Sequence, residues 1–236
     1  MNDVEIYNDD CLSILIGGTI KDREKAIIVT DPPYNMNYHY KTYKDNMPED
    51  EYYTWLGDIL SLLPCVVIHY PESLYRLSFQ MGMFPERVIS WVYNSNTARQ
   101  HRDICFFNVK PDFTQVLQPY KNPNDKRIKE RIANGKLGRK LYDWFNVDQV
   151  KNVSKQKTGH PCQIPLTVMN YLVGLLPYDA VIVDPFMGSG TTGEAVVNMN
   201  RVQGAKRKFV GVELDETYFN ISKERLHKAQ QQLSLF

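Results

Sequence analysis

The sequence predicts an α/β fold in which helices flank a doubly wound sheet, and two observations predict it. Short runs rich in valine and isoleucine recur along the chain, and amphipathic stretches separate several of them. Alternation of that kind is the pattern of a buried sheet with helices packed on it. The expected strands are Val4–Tyr7, Ala26–Thr30, Cys65–Tyr70, Arg87–Val92, Ile104–Val109, Ala180–Val183 and Lys208–Val212, each a short apolar run. Helical periodicity covers Glu51–Leu63, Pro165–Leu176, Thr191–Met199 and Glu216–Gln232. Between residues 110 and 160 polar, basic and glycine-containing sequence interrupts the pattern, which reads as an insertion. At 236 residues, with 43% hydrophobic and 12% aromatic side chains, the chain suits one well-buried domain plus a modest insertion.

Charge is unevenly divided although the net value is +1. Residues 1–60 carry 5 basic and 12 acidic side chains, a balance of −7, whereas residues 121–160 carry 11 basic against 4 acidic, a balance of +7. The basic stretch is either a polyanion-binding surface or a solvated lysine-rich face. Cys11, Cys65, Cys105 and Cys162 form no C-x-x-C pair, so neither a zinc site nor a disulfide framework is expected, and no metal is predicted. Reduced thiols fit a cytoplasmic setting. No apolar run approaches the roughly 20 residues of a membrane span, and the acidic N-terminus lacks the start of a signal peptide, so no membrane role is expected.

Open α/β sheets bind ligands at the carboxyl ends of their strands, and two strand ends carry unusual chemistry. The first is Asp31-Pro32-Pro33-Tyr34, directly after Ala26–Thr30. Consecutive prolines stiffen the turn and remove two backbone donors, leaving nearby carbonyls free to accept. A carboxylate beside such carbonyls can take both protons of an amino group, and a nearby tyrosine can stack on a flat ring. The pattern describes a receptor for a planar amine, or otherwise a rigid turn with a surface aspartate.

The second strand end is Asp184-Pro185-Phe186-Met187-Gly188-Ser189-Gly190-Thr191-Thr192, which runs into a helical pattern. Glycines there let backbone approach a ligand, and the helix start offers free amide donors. Glu213 and Leu214 close the next strand, where a carboxylate can hold ribose hydroxyls. The G-x-G-x-x-G spacing of dinucleotide sites is absent, which favours a nucleoside ligand.

Together these motifs resemble an amino-methylating DNA methyltransferase of the permuted beta arrangement, in which the catalytic tetrapeptide precedes the glycine loop. Asn8-Asp9-Asp10-Cys11-Leu12 resembles the family's opening segment, and Gly159-His160-Pro161-Cys162-Gln163-Ile164-Pro165-Leu166 its segment before the helix over the cofactor. Ile164 departs from the lysine common in that family, and Asn200–Lys208 is a longer basic connection than usual, expected as a surface loop or an added nucleic-acid contact.

The resemblance implies a Rossmann-like, circularly permuted, mostly parallel seven-stranded sheet with a small target-recognition insertion. Residues 1–109 would be the catalytic half, 110–157 the insertion and 158–236 the cofactor-binding half. It implies S-adenosyl-L-methionine as cofactor, held by Asp10, Asp31, His160, Pro161, Asp184, Pro185, Phe186, Gly188, Ser189, Gly190, Thr191, Thr192, Glu213 and Leu214. Asp31, Pro32, Pro33 and Tyr34 would be catalytic, with Tyr34 stacked on the base and Tyr38, His39, Tyr40 and Tyr43 following it. The implied reaction is site-specific methylation of adenine N6 in a flipped-out base of double-stranded DNA, as in restriction-modification. Cytosine N4 methylation and a catalytically silent nucleic-acid-binding subunit are the alternatives. Lys126, Arg127, Lys129, Arg131, Arg139 and Lys140 would contact DNA. The expected protein is a cytoplasmic, nucleoid-associated monomer or homodimer.

Overall fold

A computed structural model describes residues 3–40, 42–150 and 157–231. In chain order the elements are β1 (Val4–Tyr7), α1 (Cys11–Ile16), β2 (Ala26–Thr30), α2 (Glu49–Leu60), β3 (Cys65–His69), α3 (Pro71–Met81), β4 (Arg87–Val92), β5 (His101–Phe107), β6 (Leu117–Gln118) and α4 (Lys126–Ala133). They continue with β7 (Arg139–Lys140), β8 (Trp144–Asn146), α5 (Leu166–Gly174), β9 (Val181–Asp184), α6 (Thr191–Gln203), β10 (Lys208–Val212) and α7 (Glu216–Gln231). The main sheet has the order β1-β10-β9-β2-β3-β5-β4-β8. From β1 to β3 every pairing is parallel, and β5 lies antiparallel between β3 and β4. The first strand pairs with the last, as a circularly permuted sheet requires.

Period-two alternation divides the central strands between two cores. Ile27 and Val29 of β2, with Val66 and Ile68 of β3, pack on one face against α5, α6 and Leu226 of α7. Ala26 and Ile28, with Cys65 and Val67, pack on the other against α1, α2 and α3. Every residue of β2 and β3 is buried, which is why these runs are apolar without a polar face.

The described sheet has eight strands where seven were expected. The eighth, β8, is only three residues long and lies at the end of the basic insertion, paired with β4. Its Phe145, together with Val116 and Leu141 from elsewhere in the insertion, joins the main core. Residues 151–156 of the insertion, and Gln232 of the last expected helix, lie outside the described residues. β5 begins at His101 rather than Ile104 and stops before Asn108, whose φ of 54° leaves the extended region.

Three helices carried too weak a pattern to predict. α1 has six residues, started by the Asp10 side chain accepting the Leu12 N–H at 2.9 Å. In α3 the exposed aromatics Tyr75 and Phe79 blur the apolar stripe, and α4 buries none of its residues.

The basic stretch Asn200–Lys208 is not a long loop. α6 continues to Gln203 and stops at Gly204, whose φ of 65° glycine adopts without penalty. Arg207 points inward and is fully buried. Its guanidinium donates to the Leu176 carbonyl at 2.6 Å, the Pro177 carbonyl at 3.0 Å and Gln203 Oε1 at 2.8 Å. It fastens the end of α6 to the turn before β9 and is not a nucleic-acid contact. Arg207→Leu should lower unfolding free energy by about 3 kcal/mol, because three buried acceptors lose a charged donor; urea denaturation checks this.

Candidate functional site

Sheet order determines where a site can form. The chain leaves β2 towards β3 on one side and β9 towards β10 on the other, so the β2–β9 pair is a topological switch point whose carboxyl ends open a crevice. Asp31 follows β2, and Asp184 ends β9. The Asp184 carboxylate ties both sides together. Its Oδ1 accepts from the Thr30 hydroxyl at 2.8 Å and from the Phe186 N–H at 3.2 Å, and its Oδ2 accepts from the Thr192 hydroxyl. Burial pushes its carboxyl up to about 6, against the pull of these donors.

A cavity of about 490 Å³ lies above this junction. Of the predicted residues, Asp10, Asp31, Pro32, Pro33, Tyr34, His160, Asp184, Pro185, Phe186, Gly188, Ser189, Thr191, Thr192, Glu213 and Leu214 line it. Pro161 and Gly190 do not: the Pro161 carbonyl accepts from Lys157 at 3.0 Å, and Gly190 abuts Ser222.

At one pole the glycine loop turns through Gly188 and Gly190, with φ of 53° and 76°. A Cβ on Gly188 would come within 3.1 Å of the His160 ring. The Gly188 N–H donates to Glu213 Oε2, and the Asp215 N–H to Oε1, both at 2.9 Å. Each Glu213 oxygen thus keeps a lone pair for a further donor. Burial holds the Glu213 carboxyl above its ordinary value. Asn8 closes this pole by donating to the carbonyls of Glu213 and Leu214 at 2.8 and 3.0 Å. The His160 ring stands edge-on to Tyr218 at 4.5 Å, and its Nδ1 is buried without a partner. Burial lowers this imidazole to about 4, so it is neutral at neutral pH.

At the other pole the Tyr34 hydroxyl donates to Asp31 Oδ1, and the Tyr34 ring stacks on His69 with centroids 4.1 Å apart. Burial pushes the Asp31 carboxyl up to about 6, offset by the Arg102 guanidinium and the Tyr34 hydroxyl. Beneath the tetrapeptide runs a directed chain of hydrogen bonds. The Tyr70 N–H donates to His69 Nδ1 at 2.8 Å, so a neutral His69 carries its proton on Nε2. Nε2 lies 2.9 Å from the Tyr52 hydroxyl, which donates to the Pro33 carbonyl at 2.6 Å. His69 and Tyr52 are both 1% exposed, and burial, with Arg102 and Arg99, lowers His69 to about 3.

The segment after the tetrapeptide is organised by Asp45. Its carboxylate accepts the N–H groups of Asn35, Met36 and Tyr38 at 2.8, 2.9 and 3.2 Å. Asn35 and Met47 exchange side-chain and backbone bonds at 2.8 and 2.7 Å. Thr42 donates to Asp215, so this segment reaches across to the glycine-loop pole. Tyr38, Tyr40 and Tyr43 line the cavity, whereas His39 does not.

Sequence reasoning missed several of the lining side chains, above all Arg102, Tyr70, Trp55 and Thr42. Arg102 lies among four aromatic rings, 4.9 Å from the Tyr34 centroid and 5.3 to 5.8 Å from those of Trp91, Tyr70 and Tyr93. Its signal was an arginine between His101 and Asp103 at the polar start of a strand that turns apolar at Ile104, hidden because the strand was expected to begin at Ile104. The six residues expected on DNA do not line the cavity. Lys126, Arg127, Lys129 and Arg131 are exposed on α4, while Arg139 and Lys140 form β7, with the Arg139 guanidinium 4.3 Å over Tyr142. Among the described residues no group of three or more His, Cys, Asp or Glu side chains could hold a metal ion, and no helix is long and apolar enough to cross a membrane.

The model of the N6/N4 methyltransferases, a family described as DNA methylase, matches residues 26–224, from β2 into α7. The chain belongs to this DNA methylase family. The methylase is 28% identical over 253 residues to the type II methyltransferase M.BglII of Bacillus subtilis, covering 92% of this chain and 67% of that protein. It is 20% identical over 265 residues to the DNA adenine methyltransferase YhdJ of Escherichia coli strain K12, covering 94% and 85%. Its fold is similar to that of M1.HpyAVI, solved as a SAM complex, with a TM-score of 0.60 and 22% identity over 94% of this chain and 98% of that one.

The bonds beneath the tetrapeptide predict a measurable cost. Tyr52→Phe removes one hydroxyl and leaves the His69 Nε2–H and the Pro33 carbonyl without their partner, which should destabilise this methylase by about 2 kcal/mol. The shift in its urea midpoint measures that loss.

Proposed function

We propose that this methylase transfers a methyl group from S-adenosylmethionine to the N6 amine of adenine in double-stranded DNA. The observation that carries the reading is the Asp31 carboxylate, standing one strand from the glycine loop in a cavity that also takes in His160, Gly188 and Glu213. The donor fits the residues present. Gly188, with a φ of 53° and the His160 ring against it, leaves no room for a side chain and keeps the loop backbone close to the cavity. Glu213 keeps lone pairs for ribose hydroxyls, and the His160 Nδ1 is buried without a partner. Asp10 borders the same pole, where the family's corresponding aspartate lies near the cofactor adenine. M1.HpyAVI, of similar fold, carries SAM. Bound there, S-adenosylmethionine would supply a methyl carbon already activated by its sulfonium.

The chain's own residues then have one main task, which is to hold the amine in line. The Asp31 carboxylate and the Pro32 carbonyl accept hydrogen bonds from its two N–H groups and favour a pyramidal nitrogen, an interaction that strengthens as charge develops. As the N–C bond forms and the C–S bond breaks, the nitrogen gives up one of those protons by way of Asp31. For this the Tyr34 hydroxyl gives up Asp31 Oδ1 to the amine, and its ring stacks on the target base. Flipping that base costs a few kcal/mol, which the aromatic pocket offsets. Residues 110–157 recognise the site, with Lys126, Arg127, Lys129, Arg131, Arg139 and Lys140 on the DNA. Adenine is favoured over cytosine because the family's cytosine enzymes more often place serine where Asp31 stands, and because YhdJ is named an adenine methyltransferase.

Asp31→Ala should lower single-turnover methyl transfer about a thousandfold or more while cofactor binding stays within a few-fold. Radiolabel transfer and a calorimetric titration measure the two, and loss of cofactor binding in a folded variant would sink the assignment. The wild-type rate should fall as pH drops through about 6. Only the ionised form of Asp31 offers the amine a carboxylate acceptor to work beside the Pro32 carbonyl, and protonation removes it below that value. Mass spectrometry of the digested product identifies the modified base.

A further inference from the structure

The β4–β5 hairpin ends at the rim of the cavity, and its tip has no role in the reading above. From Arg87 to Arg102 the hairpin contains no acidic residue, but it carries Arg87, Arg99, His101 and Arg102. Its tip is pinned from within. The Gln100 side chain accepts the Ser95 N–H and donates to the Ser95 carbonyl, both at 2.9 Å, and also donates to the Thr97 carbonyl. The Ser95 and Thr97 hydroxyls meet at 2.9 Å, and the Tyr93 N–H donates to the Gln100 carbonyl at 2.9 Å.

A loop that satisfies its own backbone this way holds its outward side chains on a fixed frame. Asn94, Asn96 and Arg99 are those side chains, all exposed. Among the described residues neither asparagine amide has a hydrogen-bond partner. The Arg99 guanidinium lies 4.2 Å over the ring of Tyr70, which lines the cavity and stands edge-on to Tyr34 at 5.2 Å. Its ion pair with Glu72, at 3.8 Å and with both side chains half exposed or more, contributes little. On its outer side β4 pairs with β8, so the hairpin stands between the basic insertion and the pocket mouth.

We infer that the hairpin tip, Asn94–Gln100, is a DNA-contacting surface separate from the basic insertion, on which Arg99 holds a backbone phosphate beside the extruded nucleotide. The inference rests on the proposed function, because a base that enters the Asp31 pocket draws its flanking phosphates across the rim where Arg99 stands. A guanidinium backed by an aromatic ring has lost little freedom by binding and keeps its N–H fork for two phosphate oxygens. The asparagine amides carry the paired donor and acceptor that base edges require.

The test measures binding of the full chain to a random-sequence DNA duplex across a range of salt concentrations, for wild type, Arg99→Ala, Arg99→Lys and Asp31→Ala. Arg99→Ala should bind several-fold more weakly at low salt, and the slope of log affinity against log salt should fall by about one, as for one lost phosphate contact. Arg99→Lys should keep the wild-type slope, and thermal unfolding of all variants should match wild type. An Arg99→Ala protein with wild-type affinity and slope overturns the inference, and so does one that unfolds early while its slope is unchanged. The proposed function fails separately, through a wild type that transfers no methyl group or an Asp31→Ala variant that does.

Discussion

The buried carboxylate of Asp184 is the constraint on which both halves of the site depend. It accepts from Thr30 at the end of β2, from Thr192 at the start of α6 and from the backbone at Phe186. Isolated, a carboxylate so enclosed would cost several kcal/mol in lost hydration. The three donors compensate it only while the tetrapeptide strand and the glycine loop keep their present separation. Transfer between two bound molecules requires positioning to about 0.5 Å. One carboxylate sets that spacing from underneath, without itself being required to touch either ligand.

Around this junction the sheet does the rest. Its switch point opens between the two strands that Asp184 joins, so the crevice and its brace coincide. The poles differ in character. At the glycine-loop pole the Glu213 carboxylate, fixed by the Gly188 and Asp215 amides, is the polar group on the cavity, whereas Asp31 stands among stacked rings with the Arg102 cation close by. A hydroxylated, polar ligand portion suits the first and a flat heterocycle the second.

Much of the fold was legible because its central strands are buried on both faces and therefore read as unbroken apolar runs, as in Ala26–Thr30 and Cys65–His69. The tetrapeptide and the glycine loop were legible for a related reason: each directly follows such a run, at the end where ligands bind. The remainder failed on identifiable physics. β8 has three residues, too few for alternation to register. α4 lies on the surface with no buried stripe to mark it. Arg102 was passed over because the rings of Tyr34, Tyr70, Trp91 and Tyr93 that surround its cation come from elements that only folding brings together. Arg207 looked like surface charge, since nothing local reveals that the carbonyls of Leu176 and Pro177 will surround it.

The hydrogen bonds that run from Tyr70 through His69 and Tyr52 to Pro33 all point the same way. A backbone N–H at the start can only give, and a proline carbonyl at the end can only receive. Reversal of the row is therefore forbidden, and the wall under the tetrapeptide has a single state rather than two of similar energy. Any adjustment between an empty and a filled pocket then falls to the group on top of that wall. Tyr34, held by its hydroxyl at Asp31 and more loosely, at 3.4 Å, at the Ile68 carbonyl, with His69 stacked on its ring and Arg102 4.9 Å from its centroid, is the hinge-like piece of an otherwise monostable pocket.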